Sequence, residues 1–164
     1  MKAIVIHEPG NTEVLKFEAI PDPSCGPDQV LVRNDFSGVN FGDVIRRKRG
    51  WSGPSPFVAG FEGVGSVETV GYAVTAVKPG DRVGYLVPHG AYAELTAVPA
   101  EQTFPVPDSL PMPVMAASVC VGTTAWNLLD LSGLRPGQTA LVHGGAGGVG
   151  AALLQMAKAR GVRT

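Results

Sequence analysis

A chain of 164 residues can build one well-buried core, or one domain together with part of another. With 45% apolar residues, 16% charged residues and a formal net charge of −1, its composition is that of a globular protein. It carries no basic footprint for nucleic acid or an anionic membrane surface. No apolar run reaches the length of a membrane span, and Ala3-Ile4-Val5-Ile6 is too short for a signal peptide. Cys25 and Cys120 belong to no metal-like pair and read as two thiols of a cytoplasmic protein rather than a disulfide.

Up to about Pro107 the pattern predicts short strands. Residues 2–7 and 15–19 read as a pair around a turn at Pro9-Gly10-Asn11. Residues 29–39 follow, with Val30, Val32 and Phe36 among polar neighbours. Residues 40–47 suit a short helix. Strands are expected over 62–70, laced with Gly63 and Gly65, over 82–86 after the turn Lys78-Pro79-Gly80-Asp81, and over 91–98. Tyr72, Tyr85 and Tyr92 read as barrel and core residues. Many short strands between turn residues predict a small barrel. From Pro111 the period becomes helical: Val114, Ala117, Val121, Ala125 and Leu129 fit one helix or two, ending near Ser132-Gly133. The change of pattern predicts two domains, 1–121 and 122–164.

Residues 139–143 read as an apolar strand that tightens into glycines and opens a helix over about 148–160. Gly145, Gly147 and Gly150 stand in G-x-G-x-x-G spacing, and the flanking strand and helix distinguish it from a plain glycine-rich turn. The glycines allow a tight turn, close approach of backbone to a pyrophosphate, and close packing of helix on strand. The backbone of Gly145, Ala146, Gly147, Gly148, Val149 and Gly150 is thus the expected phosphate cradle, with the helix N-terminus behind it. Val149, Leu153 and Ala157 at four-residue spacing give that helix one face to bury. The sequence stops at Arg163-Thr164, where a second parallel strand is expected, so the nucleotide-binding unit reads as incomplete and the chain as truncated. An open apolar face and open strand edges predict self-association or a mobile last segment.

Six stretches in order carry a family likeness: residues 37–47 (Ser37-Gly38-Val39-Asn40-Phe41-Gly42-Asp43 and on to Arg47), Gly60-Phe61-Glu62-Gly63, Lys78-Pro79-Gly80-Asp81-Arg82, Gly90-Ala91-Tyr92-Ala93-Glu94, Gly122-Thr123-Thr124-Ala125 and the glycine loop. With them the chain resembles the N-terminal half of the zinc-independent quinone oxidoreductases (zeta-crystallin-like proteins) of the medium-chain dehydrogenase/reductase superfamily. The resemblance implies a mixed β and α/β fold: a GroES-like β-barrel as catalytic domain, then the first strand–helix unit of a Rossmann fold, with the active site in the cleft between. It also implies NADPH as cofactor, hydride transfer to a quinone or conjugated carbonyl or enoyl substrate, and a homodimer for the intact protein.

Zinc-dependent members of that superfamily have a cysteine where this chain has Asn40 and a histidine where it has Phe61. An amide and a phenyl ring cannot replace thiolate and imidazole ligands, so no metal is expected. A substrate carbonyl is then polarised by hydrogen bonds or protonated from solvent. Asn40 is the matched position for this, and also for the nicotinamide ribose, with Asp43 as its partner. The same two residues suit a helix cap and first turn, and both roles can hold. Ile45 and Trp51 stand where the family often has tyrosines and are expected, with Glu62, at the substrate pocket. Trp51 equally suits a surface loop, and Glu62 a structural strand end. Thr124 matches a threonine near the nicotinamide, or else bonds its own helix backbone. The resemblance leaves two functions open: an NADPH-dependent reductase of quinones or enones, or a non-catalytic binding or structural module derived from one.

Overall fold

The computed structural model describes residues 1–50, 52–53 and 55–164, which form two compact units, Met1–Ala116 and Ala117–Thr164. The expected boundary after Val121 falls within a continuous helix, Val119–Leu131, so the units part before that helix begins.

The first unit is built on two antiparallel sheets. Strands β1 (Lys2–Ile6), β2 (Lys16–Ala19) and β4 (Phe57–Val58) form one in the order β2-β1-β4. Strands β3 (Gln29–Ser37), β5 (Glu62–Val70), β6 (Arg82–Leu86), β7 (Leu95–Pro99) and β8 (Thr103–Pro105) form the other in the order β7-β3-β5-β6-β8. In β3 the pairing with β5 slips between Asn34 and Phe36. Such a bulge bends and twists a strand, which curls the sheet around its contents. Those contents are Val30, Val32, Val67, Val83, Tyr85 and Val98, an almost wholly aliphatic core supplied by alternate strand positions. Tyr85 is fully buried because its hydroxyl is satisfied, donating to Asn34 Oδ1 at 2.7 Å with Thr96 Oγ1 at 3.0 Å on its other side. Tyr72 does not join this core. It stands 91% exposed at the turn after β5.

The predicted strand over 91–98 is shortened to β7, with a reason. The backbone of residues 91–94 bonds sideways to other segments: Ala91 N–H to Gly60, Tyr92 N–H to Ala59, and Glu94 N–H to Lys2. The last backbone bond to β3 is Asn34 N–H to Glu94 O at 2.9 Å, and beyond it the segment ties the two sheets together. The short helix is α1 (Phe41–Arg49), and α2 (Met112–Ala116) packs on β3 and β5.

In the second unit α3 (Val119–Leu131) packs on α4 (Gly148–Ala159) around Leu129, Ala157 and Val162, with Leu153 and Met156 alongside. Arg160 places its guanidinium 4.3 Å from the Trp126 ring across this pair. The predicted strand over 139–143 is not formed as such. Thr139 makes a single parallel bridge to Arg163, with Ala140 N–H donating to Arg163 O at 2.7 Å. A strand exists only as far as its partner, and Arg163 is the partner on this side. Beyond Ala140 the chain runs unladdered, and Leu141 is 83% exposed. Among the described residues no helix is long and apolar enough to cross a membrane.

Candidate functional site

Helix α1 opens at Asn40, which sits in extended conformation as its N-cap, after Gly38 has ended β3. Asn40 and Asp43 form a reciprocal capping box: Asp43 Oδ2 accepts the Asn40 backbone N–H at 2.9 Å, and the Asn40 side chain faces the backbone N–H of Asp43. The acidic side chain also suits the positive end of the helix. A second tie comes from the start of β5. Asn40 Nδ2 donates to the carboxylate of Glu62, a side chain only 3% exposed. Gly38 makes room for that carboxylate, for a Cβ there would collide with it. The cap and the bond to Glu62 thus use different atoms of one amide.

Tyr92 completes the cluster. Its hydroxyl donates to Asp43 Oδ2 at 2.9 Å, so that one oxygen holds both the helix cap and the tyrosine. Burial raises the Tyr92 pKa, and the bond to Asp43 and the charges of Asp43 and Glu62 raise it further, keeping the phenol a neutral donor. Between α1 and the small sheet lies a cavity of about 110 Å³, lined by Ile6, Val44, Arg47, Phe57, Asp43 and Tyr92 among others. At its rim Arg46 donates to the Pro88 carbonyl and lies 5.0 Å from the Phe61 ring. Burial and then the Arg46 charge lower the pKa of His89 beside it.

Of the residues expected at the substrate end, Asn40, Asp43 and Glu62 come together. Ile45 stands on α1, 41% exposed. Trp51 lies outside the described residues. Tyr92 is the residue that sequence reasoning missed. It is 49 positions from Asp43, and no local spacing links them.

In the second unit the glycine loop runs from Gly144 into α4, with Gly147 as N-cap and no side chain bonded to the helix end. Gly147 N–H turns back to Gly144 O at 2.9 Å. Gly150 is required by close approach, since a Cβ would strike the Gly144 carbonyl and Gly145 Cα. Gly145, Ala146, Gly147 and Gly148 leave the loop's outer side open, and α3 backs it through Val121 against Gly148. Thr124 has its hydroxyl turned to its own helix, donating to Cys120 O at 2.7 Å.

Comparison with known proteins places this geometry. Residues 26–108 match the family described as alcohol dehydrogenase GroES-like domain. A quinone oxidoreductase of Pseudomonas aeruginosa is 41% identical over 157 residues, 94% of this chain and 48% of its own. A probable quinone oxidoreductase of Schizosaccharomyces pombe is 35% identical, over 97% of this chain and 49% of its own. The crystal structure of Escherichia coli quinone oxidoreductase complexed with NADPH superposes with a TM-score of 0.93 at 32% identity, covering 99% of this chain and 51% of that one. The chain spans about half the length of the curated relatives it matches.

Proposed function

This chain belongs to the alcohol dehydrogenase GroES-like family, among the quinone oxidoreductases of the medium-chain dehydrogenase/reductase superfamily, and from that footing we propose an NADPH-dependent reduction of a quinone or conjugated carbonyl. The observation that carries the reading is the Asn40 amide held between Asp43 and Glu62 at the mouth of α1. An amide offers two N–H donors and two acceptor sites. One N–H goes to Glu62 and the oxygen side serves the cap, so one N–H remains for a substrate oxygen that gains charge. Fixed at both ends, that donor requires no reorganisation when the charge develops. Proton delivery to the reduced oxygen is then from solvent.

The glycine loop fits a dinucleotide pyrophosphate. At Ala146 and Gly147 it carries no large side chain, Gly150 lets α4 start hard against Gly144, and no side chain caps the helix by a hydrogen bond. Gly145, Ala146, Gly147, Gly148, Val149 and Gly150 would hold the cofactor, whose nicotinamide supplies the hydride. NADPH rather than NADH follows the NADPH bound to the Escherichia coli relative. We take the reaction to be free of zinc on the chemistry of the donors: the Asn40 amide is committed to Glu62, and Phe61 offers only a ring face, which Arg46 lies against. A cytoplasmic setting suits Cys25 and Cys120, which form no disulfide.

The test is a titration of NADPH followed by loss of its absorbance on adding benzoquinone. Saturable binding with turnover, and turnover lowered at least tenfold by Asn40→Ala, supports the reading. Binding without turnover on quinones or enones favours a non-catalytic module.

A further inference from the structure

We propose that Tyr92 is a positioning residue for the Asn40 amide, acting through Asp43 and Gly60; the inference rests on the reductase reading given above. Three contacts carry it. The Tyr92 hydroxyl donates to Asp43 Oδ2 at 2.9 Å, the same oxygen that caps Asn40 at 2.9 Å. The Tyr92 ring lies against Gly60, where a Cβ would overlap it, two residues before Glu62. The Tyr92 backbone is pinned on both sides, its N–H donating to Ala59 O at 2.8 Å and its carbonyl accepting from Ile4 N–H at 2.8 Å.

One side chain therefore touches both segments whose spacing sets the Asn40–Glu62 bond: the start of α1 through its hydroxyl, and the approach to β5 through its ring. Neither segment is paired to the other by a strand ladder at this point, since α1 is a helix and the β5 ladder begins at Glu62. Loss of the hydroxyl frees one bond of Asp43 and leaves the cap held by Asn40 alone. The amide can then turn away from Glu62, and the N–H aimed at substrate is no longer fixed. An ångström-scale misplacement of a reacting group costs up to about a hundredfold in rate.

Tyr92→Phe keeps the ring on Gly60 and removes only the hydroxyl. In the protein carrying this chain, we expect kcat for benzoquinone to fall about tenfold while KM for NADPH stays within about twofold. In an Asn40→Ala background the same change produces no further fall, a non-additivity that a purely structural role does not give. A second readout needs no turnover. In the nitrogen–proton NMR spectrum the Asn40 side-chain pair is widely split in the wild type by the carboxylate bond, and Tyr92→Phe or Glu62→Gln brings the pair towards free-amide positions. Unchanged kcat together with an unchanged Asn40 pair in Tyr92→Phe overturns the inference. A wild-type protein that binds NADPH and reduces neither quinone nor enone overturns the reductase reading instead, while the NMR comparison still decides whether Tyr92 positions the amide.

Discussion

Buried Tyr85 and half-buried Tyr92 use a single hydroxyl differently, one in the core and one joining α1 to the site cluster. Tyr85 is sealed in the barrel with two partners, and burial lifts its pKa to about 12 against the bonds from Asn34 and Thr96, which pull the other way. Its neutral form is favoured in the fold. The stability this gives is present below the unfolded pKa near 10 and is lost as pH rises towards the folded value of about 12. Urea unfolding at rising alkaline pH should therefore show a loss of stability across that window of about 3 kcal/mol from this residue. Tyr85→Phe should flatten that slope while lowering stability at neutral pH by about 1–2 kcal/mol, because Asn34 and Thr96 lose their partner. Glu62 is the reverse case, a carboxylate admitted to the interior because Gly38 leaves it space. Gly38→Ala places a methyl on the carboxylate, so it should cost about 1–3 kcal/mol by thermal or urea unfolding and part Glu62 from Asn40. A stable Gly38→Ala protein with the Asn40 NMR signals unaltered would speak against this account of the site.

Elements with a long partner and clear alternation were legible in the sequence, as β3 and β5 show: both run nine residues and pair with each other. Helix α4 was legible from its glycine start and four-residue spacing. Strands β4 and β8, of two and three residues, were not, because their partners Val5-Ile6 and Val83–Tyr85 define them and no local pattern does. Residues 139–143 failed in the opposite sense. They carry strand composition, yet a ladder needs a neighbour, and Arg163 supplies one bridge. In the site, Asn40, Asp43 and Glu62 were readable through their motifs, whereas Tyr92 is placed by tertiary contacts alone. The glycine loop allows a graded prediction at the level of the element. Gly150→Ala drives a Cβ into the Gly144 carbonyl, which can yield only by shifting the α4 start. At Gly147 the nearest atom to a Cβ is the same carbonyl at 3.3 Å, a contact that a small shift relieves. NADPH titration monitored by Trp126, which stacks with Arg160 across α3 and α4, should show Gly150→Ala weakened at least tenfold and Gly147→Ala less. Equal affinities would mean that the loop does not depend on the Gly144–Gly150 approach.

At the scale of the whole molecule both units bury an apolar core and leave large apolar side chains in solvent, Phe17 and Phe41 in the first, Leu131 and Leu141 in the second. The first closes a core of fully buried valines around Tyr85. The second closes Leu129, Ala157 and Val162 between α3 and α4, and leaves Leu131 84% and Leu141 83% exposed. A single exposed leucine is ordinary. Leu141 on an unladdered backbone segment gives association a reason, because open backbone accepts new partners as apolar side chains accept burial. The energies bound its strength. Burying a leucine fully contributes about 1.5–3 kcal/mol, whereas lost freedom on association costs about 4 kcal/mol or more. The balance predicts weak self-association of the 164-residue chain, rising across the micromolar range and above. Sedimentation velocity should show an average mass that climbs with concentration, and Leu141→Lys should return it towards the monomer without altering the thermal midpoint, since Leu141 packs in no core. Association unaffected by Leu141→Lys would shift attention to the exposed Phe17 and Phe41 of the first unit. A monomer at every concentration would show that these exposed groups are too scattered to act as one surface.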